Sequence, residues 1–312
     1  MASAHQTPSD APSAPGALAA ANEEFWNNSA GTVFKEPWVL GFHANLRTFL
    51  EKNMDWLGIA NDRTPTTERK MLDYACGDGF LTKLQETAAK LTIPKVYHPF
   101  FTKCVGIDLA AGMVKQYNDA AIELHLSPEK MYAVKGDLSA PVSAQEPSKP
   151  EDATAADLSG DEFFNFDFAG VALALHHMEN PEAAIVKMAE RLKSGGVILA
   201  IDLLQSEAKD GEGNSGNHHH HHHHHQNHHG DHSHGHGHGH GHTDAANATN
   251  STRAAGHTIS HEHPSFSLEL AKGMFARAGL VDVDVILSDW KLELPFVTDP
   301  DTKLFFAKGR KP

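Results

Sequence analysis

The chain has 312 residues, 40 % of them hydrophobic, and a formal net charge of −14 with its histidines neutral. That is enough for one large α/β domain or two small ones. No run of Lys or Arg offsets the acidic balance, which argues against DNA, RNA or an anionic membrane as partner, since each needs a basic stripe. The two cysteines, Cys76 and Cys104, form no disulfide framework, and no apolar run approaches the roughly 20 residues that span a bilayer. Residues 1–21 are rich in Ala, Ser, Pro and Gly without Lys or Arg, unlike a secretory or mitochondrial leader. A soluble cytoplasmic protein is the expectation.

In chain order, residues 1–21 read as a disordered N-terminus. Residues 22–62 read as a helical cap, with Trp38, Phe42, Leu46, Phe49 and Leu50 at helical spacing. A strand–helix alternation follows. Strands are predicted over Lys70–Tyr74, Lys103–Asp108, Met131–Lys135, Phe166–Leu173 and Gly196–Leu203, and helices over Phe80–Lys90, Ala111–Leu124 and Pro181–Leu192. Such alternation implies a parallel sheet with right-handed crossovers, and runs such as "VILAI" suit strands buried on both faces. Residues 205–256 interrupt the pattern with a low-complexity insertion in which sixteen of the 25 histidines lie between His218 and His242. The fold then resumes with a helix in "SFSLELAKGMFARAGL", capped by Ser265 or Ser267 and ended near Gly279. An alternating strand in "VDVDVILSD" and a last strand in "KLFFAKGR" close the chain. One domain, 22–312, with a large internal insertion is the expected organisation.

The stretch "MLDYACGDGFLTK" places a glycine turn between a strand and a helix. A dinucleotide fold wants Gly-x-Gly-x-x-Gly with an acid about 20 residues on. Here Thr82 stands where the third glycine belongs, and the next strand-end acid, Asp108, lies farther along. The Tyr-x-x-x-Lys of short-chain dehydrogenases is missing too, which disfavours an NAD-dependent oxidoreductase.

The same stretch resembles the first motif of class I S-adenosylmethionine-dependent methyltransferases, acid-x-Gly-x-Gly-x-Gly. Asp73 takes the acid position, Gly77 and Gly79 the second and third glycines, and Ala75 replaces the first. "CVGIDLAAGMV" resembles the second motif, "VKGDLSAP" the third, and "FDFAGVALALHHMENPEAAIVKMAERLKSGGVILAIDLL" the fourth-to-fifth-strand block. The likeness covers roughly residues 70–204. The cap and "GHTISHEHPSFS" further resemble small-molecule methyltransferases common in fungi.

The resemblance implies an α/β fold, a Rossmann-like, doubly wound, mostly parallel seven-stranded sheet with an antiparallel last strand and a helical N-terminal cap. It implies an enzyme moving a methyl group from S-adenosylmethionine to an oxygen, nitrogen or carbon of a small molecule. Expected cofactor contacts are Asp73, Ala75, Cys76, Gly77, Gly79, Asp108, Leu109, Met113, Asp137 and Leu138. Within that set, Asp73 meets the amino group, Asp108 the ribose hydroxyls, Leu109 and Met113 border the adenine, and Asp137 accepts from the adenine amine. His176 and His177 follow the fourth strand, where acceptors sit in this family, and are candidate general bases. Cys76 alternatively reads as a small buried filler. Phe25, Trp26, Phe34 and Trp38 are candidates for a lid. The histidine run would take up Zn²⁺ or Ni²⁺ adventitiously, with no fixed spacing to define a metal site. His257, His261 and His263 are nearer the fold and are candidate pocket residues. A non-catalytic metal-binding or scaffold protein on a methyltransferase fold is the alternative.

Overall fold

The computed structural model describes residues 16–59, 65–83, 98–140, 155–204, 265–297 and 299–312. Most of the predicted Phe80–Lys90 helix, the histidine-rich insertion, and His257, His261 and His263 lie outside the described residues.

Helix α1 (Ala17–Ser29) begins inside the stretch read as disordered. Its "ALAAAN" start is rich in the best helix former. The Glu179 carboxylate accepts from the N–H groups of Gly16 and Leu18, so the first turn finds partners far along the chain. A single 3₁₀ turn (Val33–Lys35) leads to α2 (Pro37–Lys52) and the short α3 (Met54–Leu57). In α2 the predicted stripe faces inward: Phe42, Leu46, Phe49 and Leu50 are buried and Trp38 packs at the border.

The sheet has seven strands in the order β3-β2-β1-β4-β5-β7-β6. They are β1 (Lys70–Tyr74), β2 (Lys103–Asp108), β3 (Met131–Lys135), β4 (Phe166–Ala172), β5 (Leu192–Leu204), β6 (Val281–Leu287) and β7 (Lys303–Arg310). From β3 to β5 every pair is parallel, and β7 runs antiparallel to both β5 and β6. The helices between strands are α4 (Phe80–Lys83), α5 (Ala111–Glu123), α6 (Pro181–Arg191) and α7 (Leu268–Arg277). The fold class matches the expectation. β5 starts earlier than predicted because Leu192 pairs with Phe166 ahead of a register shift, and α6 therefore stops at Arg191.

Side chains of β1 alternate between two cores. Met71 joins the layer formed with α2, α3 and α5, and Leu72 joins the layer with α6 and α7. The same alternation sends Asp73 toward the first layer and Tyr74 toward the second. β6 alternates as predicted, with Val283, Val285 and Leu287 on the α7 layer, while on its other face Asp284 accepts from Trp56 Nε1 at 2.7 Å.

The caps explain where helices start. Asn180 Oδ1 accepts from Ala183 N ahead of α6, and Ser267 Oγ from Leu270 N ahead of α7. The strand order reverses between β1 and β4, and the carboxyl ends of these strands are where open α/β sheets place their ligand cleft. Among the described residues no helix is long and apolar enough to cross a membrane.

Candidate active site

The glycine turn follows β1 directly. Ala75 (φ 51°), Gly77 (φ 53°) and Gly79 (φ 80°) all take the left-handed conformation. For the two glycines this is inexpensive, and at Gly79 an added Cβ would lie 3.0 Å from the Tyr117 ring. For Ala75 it is strain. Leu173 (φ 53°), just past β4, carries the same strain on the facing strand. Strained non-glycine residues thus flank the switch point on both sides, which is where functional sites store strain.

Asp108 ends β2 and reaches back to the turn. Its Oδ2 accepts from Gly77 N and its Oδ1 from Ala110 N, both at 2.9 Å. Burial pushes its carboxyl up to about 6, and the backbone N–H donors pull against that. A carboxylate offers about four acceptor positions. The N–H groups of Gly77, Ala110 and Leu109 all serve it, and the carboxylate stays an acceptor beside the turn.

Asp73 is buried and accepts from Thr82 Oγ1 at 2.8 Å; Thr82 in turn lies 2.9 Å from the Tyr117 hydroxyl. Burial raises the Asp73 carboxyl to about 8. The residue that breaks the dinucleotide pattern, Thr82, is therefore the direct partner of the motif acid. Tyr74 takes the opposite face and donates to Asp137 Oδ1 at 2.8 Å, which also accepts from Ser139 N and Oγ. Leu138 is buried in the α6/α7 layer, Leu109 is half-buried beside Asp108, and Met113 is buried in the first turn of α5.

Cys76 enters the turn by its backbone, donating to Ile107 O and accepting from Gly79 N. Its sulfur faces the sheet, 2.8 Å from where a Cβ on Gly106 would sit. Burial pushes its thiol well up, so the nucleophilic thiolate is suppressed. The filler reading fits the side chain.

The cap closes over these groups. Phe34 Cζ lies 3.2 Å from the position of a Cβ on Gly77. Behind it His43 stacks on Phe80, with ring centroids 4.2 Å apart. Helix α1 touches each strand end in turn. Asn27 Oδ1 accepts from Gly112 N at the start of α5, Glu23 pairs with Lys135 at 2.5 Å, and Asn22 Nδ2 donates to His177 O at 2.9 Å. Trp26 meets the His177 ring edge-on at 5.5 Å and Phe25 meets Trp26. Of the four lid candidates, Trp38 sits apart, against Phe296.

The loop after β4 carries His176 and His177, with ring centroids 4.1 Å apart. His176 is buried, and its Nδ1 lies 2.6 Å from Asp202 Oδ1 on β5. Asp202 is fully buried and also accepts from His176 N and Leu203 N. The sequence reading missed Asp202. The available signal was an acid interrupting the apolar run of "VILAIDLL", at the carboxyl end of a strand.

With this geometry in place the comparisons are decisive for the family. A family model described as a methyltransferase domain matches residues 42–282. The chain belongs to that methyltransferase family. It is an S-adenosylmethionine-dependent methyltransferase, as the ordered strand-end motifs implied. A comparison with curated proteins by sequence finds no match. Among solved structures, the magnesium protoporphyrin IX methyltransferase of Synechocystis PCC 6803 with bound SAM aligns at TM-score 0.52 and 9 % identity, covering 95 % of this chain and 97 % of that one. A Bacillus halodurans putative methyltransferase aligns at TM-score 0.47 and 16 % identity over 85 % and 99 % of the two chains. Phosphoethanolamine N-methyltransferase 2 of Haemonchus contortus aligns at TM-score 0.48 and 10 % identity over 92 % and 60 %.

Proposed function

We propose that this methyltransferase holds S-adenosylmethionine across the carboxyl ends of β1 and β2 and methylates a small molecule admitted between the β4 loop and the cap. The observation that carries the reading is Asp108. Its buried carboxylate ends β2 directly beside the glycine turn, and a carboxylate, which only accepts, suits the donating hydroxyls of a ribose. Gly77 and Gly79 let the backbone approach the amino-acid end of the cofactor, and Asp137 supplies an acceptor for the adenine amine. The bound cofactor supplies an electrophilic methyl on a sulfonium, and much of the acceleration then comes from proximity and orientation.

The chain's own residues do the rest. α1 and Phe34 exclude water from the turn, and Trp26 walls the loop that carries the histidine pair. One of that pair takes the proton that an acceptor hydroxyl, amine or acidic carbon must lose. A net charge of −14 supports a small acceptor over a nucleic acid or an anionic membrane, and with so few cysteines it supports a cytoplasmic setting. Uptake of Zn²⁺ or Ni²⁺ by the histidine tract is adventitious in this reading.

The test is a calorimetric titration of the full chain with S-adenosylhomocysteine, with metal removed and NAD⁺ as control. The expected result is one-to-one micromolar binding of S-adenosylhomocysteine alone, about −8 kcal/mol. Absence of binding to protein shown to be folded overturns the cofactor assignment.

A further inference from the structure

We infer that Asp202 is the positioning residue of the acceptor half, fixing His176 as the Nδ1–H tautomer so that Nε2 is its proton-accepting nitrogen. The inference rests on the reading above that the histidine pair serves the acceptor.

Three donors converge on one carboxylate. His176 N reaches Asp202 Oδ2 at 3.3 Å, Leu203 N reaches Oδ1 at 2.7 Å, and His176 Nδ1 lies 2.6 Å from Oδ1. Both oxygens already accept from backbone N–H groups, so the carboxylate is the acceptor and the Nδ1 that faces it carries a proton. Nε2 is then the ring nitrogen free to accept one. Among the described residues every hydrogen bond of His176 goes to Asp202, so Nε2 takes none.

Both partners are buried, Asp202 completely. A buried polar pair is poor value for stability, since two apolar residues of similar volume serve the fold as well or better. Its placement is what it provides. Asp202 sits at the carboxyl end of β5, and the preceding Ile201 O accepts from Leu173 N at 2.8 Å. β5 therefore fixes the β4 loop at two points from below, while Asn22 holds the His177 carbonyl from α1 above. The His177 ring is walled by Trp26 on one side and His176 on the other.

The experiment is nuclear magnetic resonance of histidine ring nitrogens in the ¹⁵N-histidine-labelled full chain, saturated with S-adenosylhomocysteine. His176 is assigned by the signal lost in His176→Gln. The expected wild-type signal is a protonated Nδ1 with a hydrogen-bonded proton and an unprotonated Nε2. Asp202→Leu keeps a similar volume but removes the acceptor, so the hydrogen-bonded Nδ1 proton is expected to be lost and the ring to shift toward the Nε2–H tautomer, with S-adenosylhomocysteine affinity within twofold of wild type. A wild-type ring protonated at Nε2 overturns the inference without any Asp202 variant, so a misfolded Asp202→Leu does not shield it. An unchanged tautomer in folded Asp202→Leu overturns it as well. The underlying base reading fails separately. Labelled methyl transfer to pooled probe acceptors, a phenol, a primary amine and a 1,3-diketone, would then be as fast in His176→Gln as in wild type, whatever the tautomer.

Discussion

The two sides of the cleft are held by different means. On the β1/β2 side one carboxylate gathers backbone amides. Asp108 meets amides of the adjacent turn and of its own following helix, and the turn needs glycines because it runs at positive φ. On the β4/β5 side several different side chains each hold a segment far away in sequence. Asp202 holds His176 across 26 residues, Asn22 holds His177 across 155, and Glu179 caps α1 across 163. The difference teaches which side is set by motif chemistry and which by the assembled fold. A backbone cradle survives wide sequence change around it, so it can serve one shared cofactor. A side-chain lattice changes with each partner, so it can be altered to admit different acceptors.

The largest effect expected on this comparison comes from Asp108→Ala. Removing hydrogen bonds to a charged group costs about 1.5–3 kcal/mol, so S-adenosylhomocysteine should bind about 10–150-fold more weakly. The same residue gives a pH signature. Its carboxyl is raised to about 6, so wild-type affinity should fall as pH drops below that value while Asp108→Asn stays flat. Titrations at several pH values check both. Equal affinity in Asp108→Ala and wild type would remove Asp108 from the ribose role and leave the cradle without its anchor.

How legible each side was in the sequence follows from the same contrast. The bounds of β1, β2, β3 and β7 were readable to the residue, because apolar runs bounded by turn residues carry strand information locally. The α7 cap was narrowed to Ser265 or Ser267, and Ser267 takes it. The positions of Asp108 and the glycines at strand ends were readable because each follows a short apolar strand run directly. Asp202 was not, although its place in an apolar run marked it, because nothing in the sequence says which loop lies over that strand end. The start of α1 was hidden for a related reason. "ALAAAN" is helical by propensity, but a short exposed helix needs partners, and Glu179, Lys135 and His177 are supplied only by the folded sheet.

A second prediction probes the cap that both sides share. His43 packs among Phe34, Phe42 and Phe80, facing Asp78, Lys83 and Arg47. Burial lowers its pKa to about 4, with Asp78 opposing the shift and the two cations reinforcing it. A depressed histidine favours the fold above its unfolded value of about 6.5, and that contribution is lost as pH falls toward 4. His43→Phe should therefore flatten the acid limb, gaining about 2 kcal/mol on wild type between pH 7 and pH 5. Asp73 and Asp108, both raised, act with the opposite sign, gaining stability as pH falls. Denaturant unfolding at the two pH values, compared between variant and wild type, cancels their share. An acid limb of unchanged slope would mean that His43 is protonated inside the fold and that the cap is wetter than its packing indicates.

The smallest effect separates the two strained residues. Ala75→Gly restores the glycine of the family pattern at φ 51°. A left-handed alanine costs about 1–2 kcal/mol, and glycine's extra freedom in the unfolded chain returns roughly 0.4–1 of that, so the net gain should be about 0.5–1 kcal/mol. The gain is in backbone strain, so it should appear in the melting temperature while S-adenosylhomocysteine affinity changes little. Leu173→Gly relieves the same backbone strain but deletes a side chain packed against the α2-layer core. It should be net destabilising, because losing a half-buried leucine outweighs the relief. If Ala75→Gly instead lowers affinity, the Ala75 methyl group contacts the ligand, and the cradle reads its cofactor through a side chain as the acceptor side does.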